Sequence, residues 1–369
     1  MDALVIAGIF VVCLLPVFIV VMFTPYLTRK TESFGVYVPE EIYNDPRLKK
    51  MRRMYVYSTG IVSFLVMIGS FTVVQSLEGE EQISLAIACG LVVYSVVSFL
   101  VYLVFHRKMK KLKAESKWTE QKPQQVTIDL HFQQKQLTVT NWWFAIPYLL
   151  SFLTLLLTIS FYEQIPERIP MQYNFSGEVT NWADKSYRSM LMMPIMQVYL
   201  TSLFLFINTM ISKAKQQLNA ANPEKSMEQN IRFRRRWSGY IIVSGTALTL
   251  LFAFTQISFI FPVNTQLLTI VPICLSGAMV AGAIFLAFNT GQGGSRIKTG
   301  TDKQGDAIDR DGDRHWKLGQ FYFNPEDPAL FLEKRFGVGW TINFARPLAW
   351  TVLIVIILLA VAIPWLLGV

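Results

Sequence analysis

The chain has 369 residues, 52% of them hydrophobic and only 16% charged, with a mean hydropathy of +0.37. Soluble domains carry about 25% charged residues, so an ordinary soluble globular protein is excluded. The formal net charge of +9 is read as the loop charge of a membrane protein and not as a nucleic-acid footprint.

A helix that crosses a bilayer needs about 20 mostly apolar residues. Eight such runs follow in order: Leu4–Tyr26, Met54–Gln75, Ile83–Phe105, Trp142–Phe161, Met190–Ile211, Trp237–Phe261, Gln266–Phe288 and Leu348–Leu367. The first opens Met1-Asp2-Ala3 with no basic residue, and Arg29 and Lys30 follow it. It is therefore expected to remain as a helix with its N-terminus outside, not to be a cleaved signal peptide. Lys and Arg then fall in alternate gaps: seven in 27–53, eight in 106–141, seven in 212–236 and nine in 289–347, against none in 76–82, three in 162–189 and none in 262–265. Basic loops stay on the cytoplasmic side. The expected fold is an all-α polytopic membrane bundle of eight transmembrane helices with both termini outside. A small α/β cytoplasmic module is expected from the inside loops.

The organisation expected is helix 1 over 1–26, a basic cytoplasmic loop over 27–53 and helices 2 and 3 over 54–105. A basic cytoplasmic loop with strands follows over 106–141, then helices 4 and 5 over 142–211 around an external loop at 162–189. A third basic loop over 212–236, helices 6 and 7 over 237–288, the cytoplasmic module over 289–347 and helix 8 over 348–369 complete it. The lipid bilayer is the first partner. The clusters Arg107-Lys108-Met109-Lys110-Lys111 and Arg232-Phe233-Arg234-Arg235-Arg236 would attract anionic headgroups.

No Asp, Glu, Lys, Arg or His lies mid-span, where transporters and pumps place such groups. Gln197, Asn208 and Gln256 are expected to bond between helices. Pro16, Pro194 and Pro272 are expected to kink their helices. Cys13, Cys89 and Cys274 lie within spans, without ligand spacing, and are expected to pack. Neither a His-Glu-x-x-His nor a Gly-x-Ser-x-Gly motif is present, and Gly291–Thr299 lacks phosphate-loop spacing. No enzyme activity and no cofactor are expected.

In the external loop, Pro166 and Pro170 oppose a helix, Asn174-Phe175-Ser176-Gly177 signals a turn, and Trp182 suits the headgroup level. The pattern Ile165-Pro166, Ile169-Pro170, Tyr173-Asn174, Gly177, Trp182 and Lys185 resembles the external-loop signature of a bacterial domain of unknown function. That domain also occurs in the immunity protein of the sporulation-delaying-protein toxin system. Its members carry His and Asp where this chain has Gln172 and Thr180, which leaves the chain without that titrating His. The candidate external contacts are Pro166, Pro170, Gln172, Asn174, Gly177, Thr180, Asn181, Trp182 and Lys185.

In the last inside gap, Asp309, Asp311 and Asp313 suggest a calcium loop, but the twelfth position is Gln320 and not the bidentate Glu; a solvated turn is expected. Gln320–Phe323 is a predicted strand. Asn324 as N-cap, Pro325 at N1 and Gly337 at C′ predict a short helix between them. Val338–Phe344 alternates as a strand, as do Val126–Phe132 and Leu137–Val139, and these are expected to share one sheet. Arg314–Pro347 is similar to a second bacterial domain of unknown function that follows the first in Firmicute membrane proteins, and Phe34–Glu41 resembles their amino-terminal inside motif. The candidate contacts here are Trp316, Tyr322, Asn324, Pro325, Asp327, Pro328, Arg335, Gly337, Trp340, Asn343 and Phe344.

These features imply a non-enzymatic protein of a bacterial cell membrane, of the toxin-immunity or envelope-sensor type. Its external loop would contact a peptide or envelope signal and its cytoplasmic module a protein partner. The alternative is a permease or a lipid or peptide transporter, which would need a polar cavity near the intramembrane prolines.

Overall fold

The computed structural model describes residues 3–77, 79–116, 118, 124 and 125, 135–173, 178–299, 308 and 309, and 312–367. Helix α1 (Ala3–Leu27) leads into the two-residue strands β1 (Glu32–Ser33) and β2 (Val36–Tyr37), then α2 (Pro46–Gln75) and α3 (Glu80–Ser116). After β3 (Gln124–Gln125) and α4 (Ala145–Ser160) comes a hairpin of β4 (Arg168–Tyr173) and β5 (Val179–Asp184). Helices α5 (Tyr187–Met190), α6 (Met192–Lys213), α7 (Pro223–Ile260) and α8 (Thr265–Thr290) follow. Short strands β6 (Ile308–Asp309), β7 (Trp316–Lys317), β8 (Phe321–Tyr322), β9 (Phe331–Glu333) and β10 (Trp340–Ile342) precede α9 (Pro347–Leu367).

Among the described residues, seven helical stretches are long and apolar enough to cross a membrane, and Leu14–Leu27 of α1 is a shorter apolar one. Their outer surfaces are apolar too: Ile61, Leu85, Phe285, Leu358, Val361 and Trp365 are exposed. Hydrocarbon, not water, suits such faces, and helices satisfy their own backbone groups there. Cys89 and Cys274 lie on these exposed faces and do not pack inside as expected, because each falls on the lipid-ready side of its helix.

Two helices begin well before their apolar runs. Asp45 caps α2 by accepting the Arg47 N–H at 2.8 Å, with Pro46 at the first helical position. Asn222 does the same for α7, accepting the Lys225 N–H at 3.2 Å ahead of Pro223 and Glu224. A capped start with proline at N1 is a helix signal of its own, so both basic stretches become helix and not loop.

The chain forms two compact units. The first comprises Met1–Phe132, Ala214–Phe233 and Ala283–Arg346. Its main core gathers Phe34, Val36, Val38, Leu48, Tyr55, Tyr102, Phe105 and Met109, and a second cluster joins Leu14, Phe18, Val74, Ile83 and Tyr94. The β1–β2 turn holds Gly35 at φ +74°, where an added Cβ would collide with the Gly319 carbonyl and the Tyr102 hydroxyl. Small sheets decorate this unit: β7–β8 and β9–β10 are antiparallel, and β3 runs parallel to β6.

Two expectations for this region need correction. No helix forms between Asn324 and Gly337: the chain turns through 324–330 and extends as β9, which pairs with β10. The Asn-Pro and Gly signals serve tight turns instead, and Pro328 removes an N–H that a helix would need. Among its described residues between α8 and α9 the module is thus built of short strands, turns and two single 3-10 turns, with no α-helix. Leu137–Val139 forms no strand either; the Val139 N–H goes to Ser238 Oγ at 2.8 Å. The strand expected at Val126–Phe132 lies outside the described residues.

The second unit comprises Gln133–Lys213, Arg234–Gly282 and Pro347–Val369. Helices α4 and α6 pack along each other, and Tyr199 of α6 donates to the Ile356 carbonyl of α9 at 3.0 Å.

Candidate functional site

The β4–β5 hairpin stands between α4 and α6. Pro170 takes part in β4 opposite Trp182, and Gln172 lies opposite Asn181, with a register shift at Met171. One side of the hairpin is anchored. Ile165 and Ile169 are buried with Met190, Met193 and Phe259, which ties the loop to α5, α6 and α7 through apolar burial worth about 25 cal/mol per Å². Tyr162 stacks on Tyr187 with ring centroids 4.3 Å apart, and Ser186 and Ser189 form a reciprocal cap on α5. Lys185 is spent on the scaffold: its Nζ lies 4.9 Å from the Tyr162 ring centre and 3.8 Å from Glu167.

Gln172, Thr180, Asn181 and Trp182 are exposed, the indole to 53%. Pro166 is exposed just ahead of β4, and Pro170 is half-buried. Asn174 and Gly177 lie outside the described residues. The exposed positions of the hairpin offer amide and hydroxyl groups and an indole, with Arg168, Glu178 and Asp184 exposed on the same strands and their connection.

In the first unit the predicted residues gather into a knot around Asp327. Its Oδ2 accepts from Lys215 Nζ at 2.6 Å and from the Tyr322 hydroxyl at 2.7 Å, while Oδ1 accepts the Ala329 N–H at 3.0 Å. Burial alone would raise this carboxyl, but those bonds outweigh it and hold it below the ordinary Asp range. Burial and the neighbouring carboxylate push the Tyr322 hydroxyl up to about 12, so it stays a donor. Asn343 is fully buried and closes the turn: Oδ1 accepts the Asn324 N–H at 3.1 Å, and Nδ2 donates to the Asn324 carbonyl at 2.9 Å and the Asp327 carbonyl at 3.2 Å. Pro325 and Pro328 remain exposed at the bends.

The other predicted residues of this unit, buried or half-buried, are also engaged within it. Trp316 packs on Tyr322 at 5.2 Å, Trp340 on Phe233 at 5.3 Å and Phe344 on Phe321 at 5.4 Å. The Gly337 N–H donates to Thr28 Oγ1 at 3.1 Å. Arg335 pairs with Asp313 and lies over the Trp316 ring. Asp313 also accepts Lys113 Nζ at 2.8 Å and the Tyr37 N–H at 3.1 Å. Burial raises its carboxyl, yet Arg335 and Lys113 bring it below the ordinary value. Asp313 therefore serves cationic side chains and not a calcium loop, and Asp311 lies outside the described residues.

Sequence reasoning missed Glu333, which is fully buried, pairs with Arg29 and accepts Asn230 Nδ2 at 2.7 Å. It missed Gln292 as well, whose amide meets both the N–H and the carbonyl of Gly339 at 2.7 and 2.9 Å. No local pattern marks either, since their partners lie far along the chain. In the second unit, Arg234 departs from the headgroup expectation. It is fully buried and donates to the Ile211 carbonyl at 2.7 Å, where the negative end of α6 attracts a cation.

Two family models match the chain. One, described as a domain of unknown function (DUF1648), covers residues 149–198, which hold the second half of α4, the hairpin, α5 and the start of α6. The other, a family of unknown function (DUF5808), covers residues 325–350, which include β9, β10 and, of the knot, Asp327, Ala329 and Asn343. No curated protein and no solved structure matches. The chain is a helical membrane protein that carries a stretch similar to each of these two domains, one centred on the hairpin and one on the knot.

Proposed function

We propose that the chain is a non-enzymatic, multi-pass bacterial membrane protein of the toxin-immunity or envelope-sensor type. In this reading α1 is the first of eight crossings, both termini are outside, the hairpin is external and the Asp327 knot is cytoplasmic. The observation that supports it best is the hairpin itself. Its apolar side is anchored through Ile165 and Ile169, and it presents Gln172, Thr180, Asn181 and Trp182 outward. The exposed amide, hydroxyl and indole groups of an anchored hairpin suit contact with a peptide or an envelope component. The knot residues that sequence marked as contacts mostly hold the module together, so a cytoplasmic partner would meet its exposed Leu318, Phe321 and Phe323. The exposed basic run Arg107, Lys108, Lys110 and Lys111 would rest on anionic headgroups.

The reading is tested in a deletion strain challenged with antimicrobial peptides. The wild-type gene restores resistance, and the Trp182→Ala gene does so poorly although the protein accumulates normally. Equal protection by both would overturn it.

A second reading, a permease for a lipid or peptide, draws on the buried polar row of α4, α6 and α7: Thr154, Gln197, Thr201, Thr249 and Gln256. Accumulation of a substrate in vesicles holding the purified protein would favour it.

A further inference from the structure

Within the first unit, the β7–β8 hairpin divides its side chains between two faces. Trp316 and Tyr322 are buried, while Phe321, Phe323 and the tip residue Leu318 are exposed to 38%, 46% and 48%. A cluster of large apolar side chains on a surface marks an interaction site. Leu318 holds φ +53°, a left-handed conformation ordinarily left to Gly, Asn or Asp. Strain of this kind persists where the surroundings impose it. Here the tip is clamped onto α3: the Leu318 carbonyl accepts from the Tyr102 hydroxyl at 3.0 Å.

The contacts with α3 fix the level at which the hairpin sits. The Phe321 ring meets Phe99 edge-on, with centroids 6.2 Å apart. Phe99 comes six residues before Phe105, where the apolar run of α3 ends, so it lies about 9 Å inside that end. The same helix is long and apolar enough to cross a membrane, and Val96, Leu100 and Val104 are exposed along it. The apolar face of the hairpin is therefore level with, and beside, a face suited to hydrocarbon. At that depth a bare carbonyl would be costly, and Tyr102 satisfies the one at the tip. Basic side chains border the patch: Arg314 and Lys317 on the hairpin, Arg107 and Lys108 on the next turn of α3, all exposed. Such side chains lay their stems along apolar surface and hold their charge at anionic headgroups.

We propose that the β7–β8 hairpin is a membrane wedge: Leu318, Phe321 and Phe323 sit in the bilayer interface beside α3, and Arg314 and Lys317 rest on anionic headgroups. The occupant of this apolar face is lipid. The proposal rests on α3 being a crossing and not on the peptide-contact reading. A cytoplasmic partner that takes the same residues would first have to lift the hairpin out of the bilayer.

The test uses the full-length protein in nanodiscs that contain an anionic phospholipid. The native cysteines are replaced, and a bimane fluorophore is placed on one introduced cysteine at a time. Leu318→Cys and Phe323→Cys are expected to lose fluorescence when brominated phospholipid is included and to be protected from iodide in the buffer. Two sites keep the test open where one variant fails to fold. Glu326→Cys, on an exposed turn of the same module, is expected to behave in the opposite way, and Leu100→Cys is the lipid-facing reference. Quenching of the two hairpin labels by iodide would overturn the proposal. Quenching by neither agent would overturn it too, because protein and not lipid would then cover the face. A Leu100 label untouched by brominated lipid would remove the crossing of α3, and the wedge with it.

Discussion

Asp327 is the charged centre of the knot, with three donors converging on its two oxygens. Asp327→Asn would keep the shape but lose the ion pair and weaken the Tyr322 bond. We expect a loss of about 1–3 kcal/mol at neutral pH, the usual cost of breaking a buried charge-assisted bond. The pH dependence follows from the lowered carboxyl. A group that titrates lower when folded stabilises the protein fully above its unfolded pKa of about 3.9. That contribution disappears as pH falls through the folded value. Unfolding midpoints of wild type and variant should therefore differ at pH 7 and converge only in acid below that value. A gap unchanged at low pH would show that the carboxylate charge is not what matters.

At the scale of elements, the hairpin separates anchoring from presentation. Ile169 is 1% exposed while Trp182 is 53% exposed. Ile169→Ala should cost about 2–5 kcal/mol, the usual range for truncating a buried aliphatic side chain. It should also speed amide exchange in β4 and β5. Trp182→Ala should change stability by no more than about 0.5 kcal/mol; a large loss would make the indole part of the scaffold. The hairpin was partly legible in the sequence, since Pro166 and Pro170 excluded a helix; elsewhere, the period-two pattern at 338–344 marked the strand at β10. The starts of α2 and α7 were legible too, through Asp45-Pro46 and Asn222-Pro223, but hydropathy runs drew the boundary later. The false helix at 324–337 arose because an Asn-Pro start and a Gly stop are shared by helices and tight turns. The deciding partner, Asn343, comes 19 residues after Asn324. Glu333 was invisible for a stronger reason: Arg29 lies 304 residues away.

For the whole molecule, the alternation of basic gaps gives a topology that labelling can check. With the native cysteines replaced, Thr180→Cys should react with an impermeant maleimide on intact cells. Lys110→Cys should react only after permeabilisation; the reverse pattern would invert the protein. The first unit has a further consequence, one of timing. Tyr37 waits for Asp313, which lies 276 residues later, and synthesis proceeds at about 5–20 residues per second. For roughly a quarter of a minute to a minute, Phe34, Val36 and Val38 lack the segment that completes their shelter. A ribosome that stalls before Asp313 would leave this apolar loop open to quality-control proteases, so completion of the chain becomes its own licence to persist.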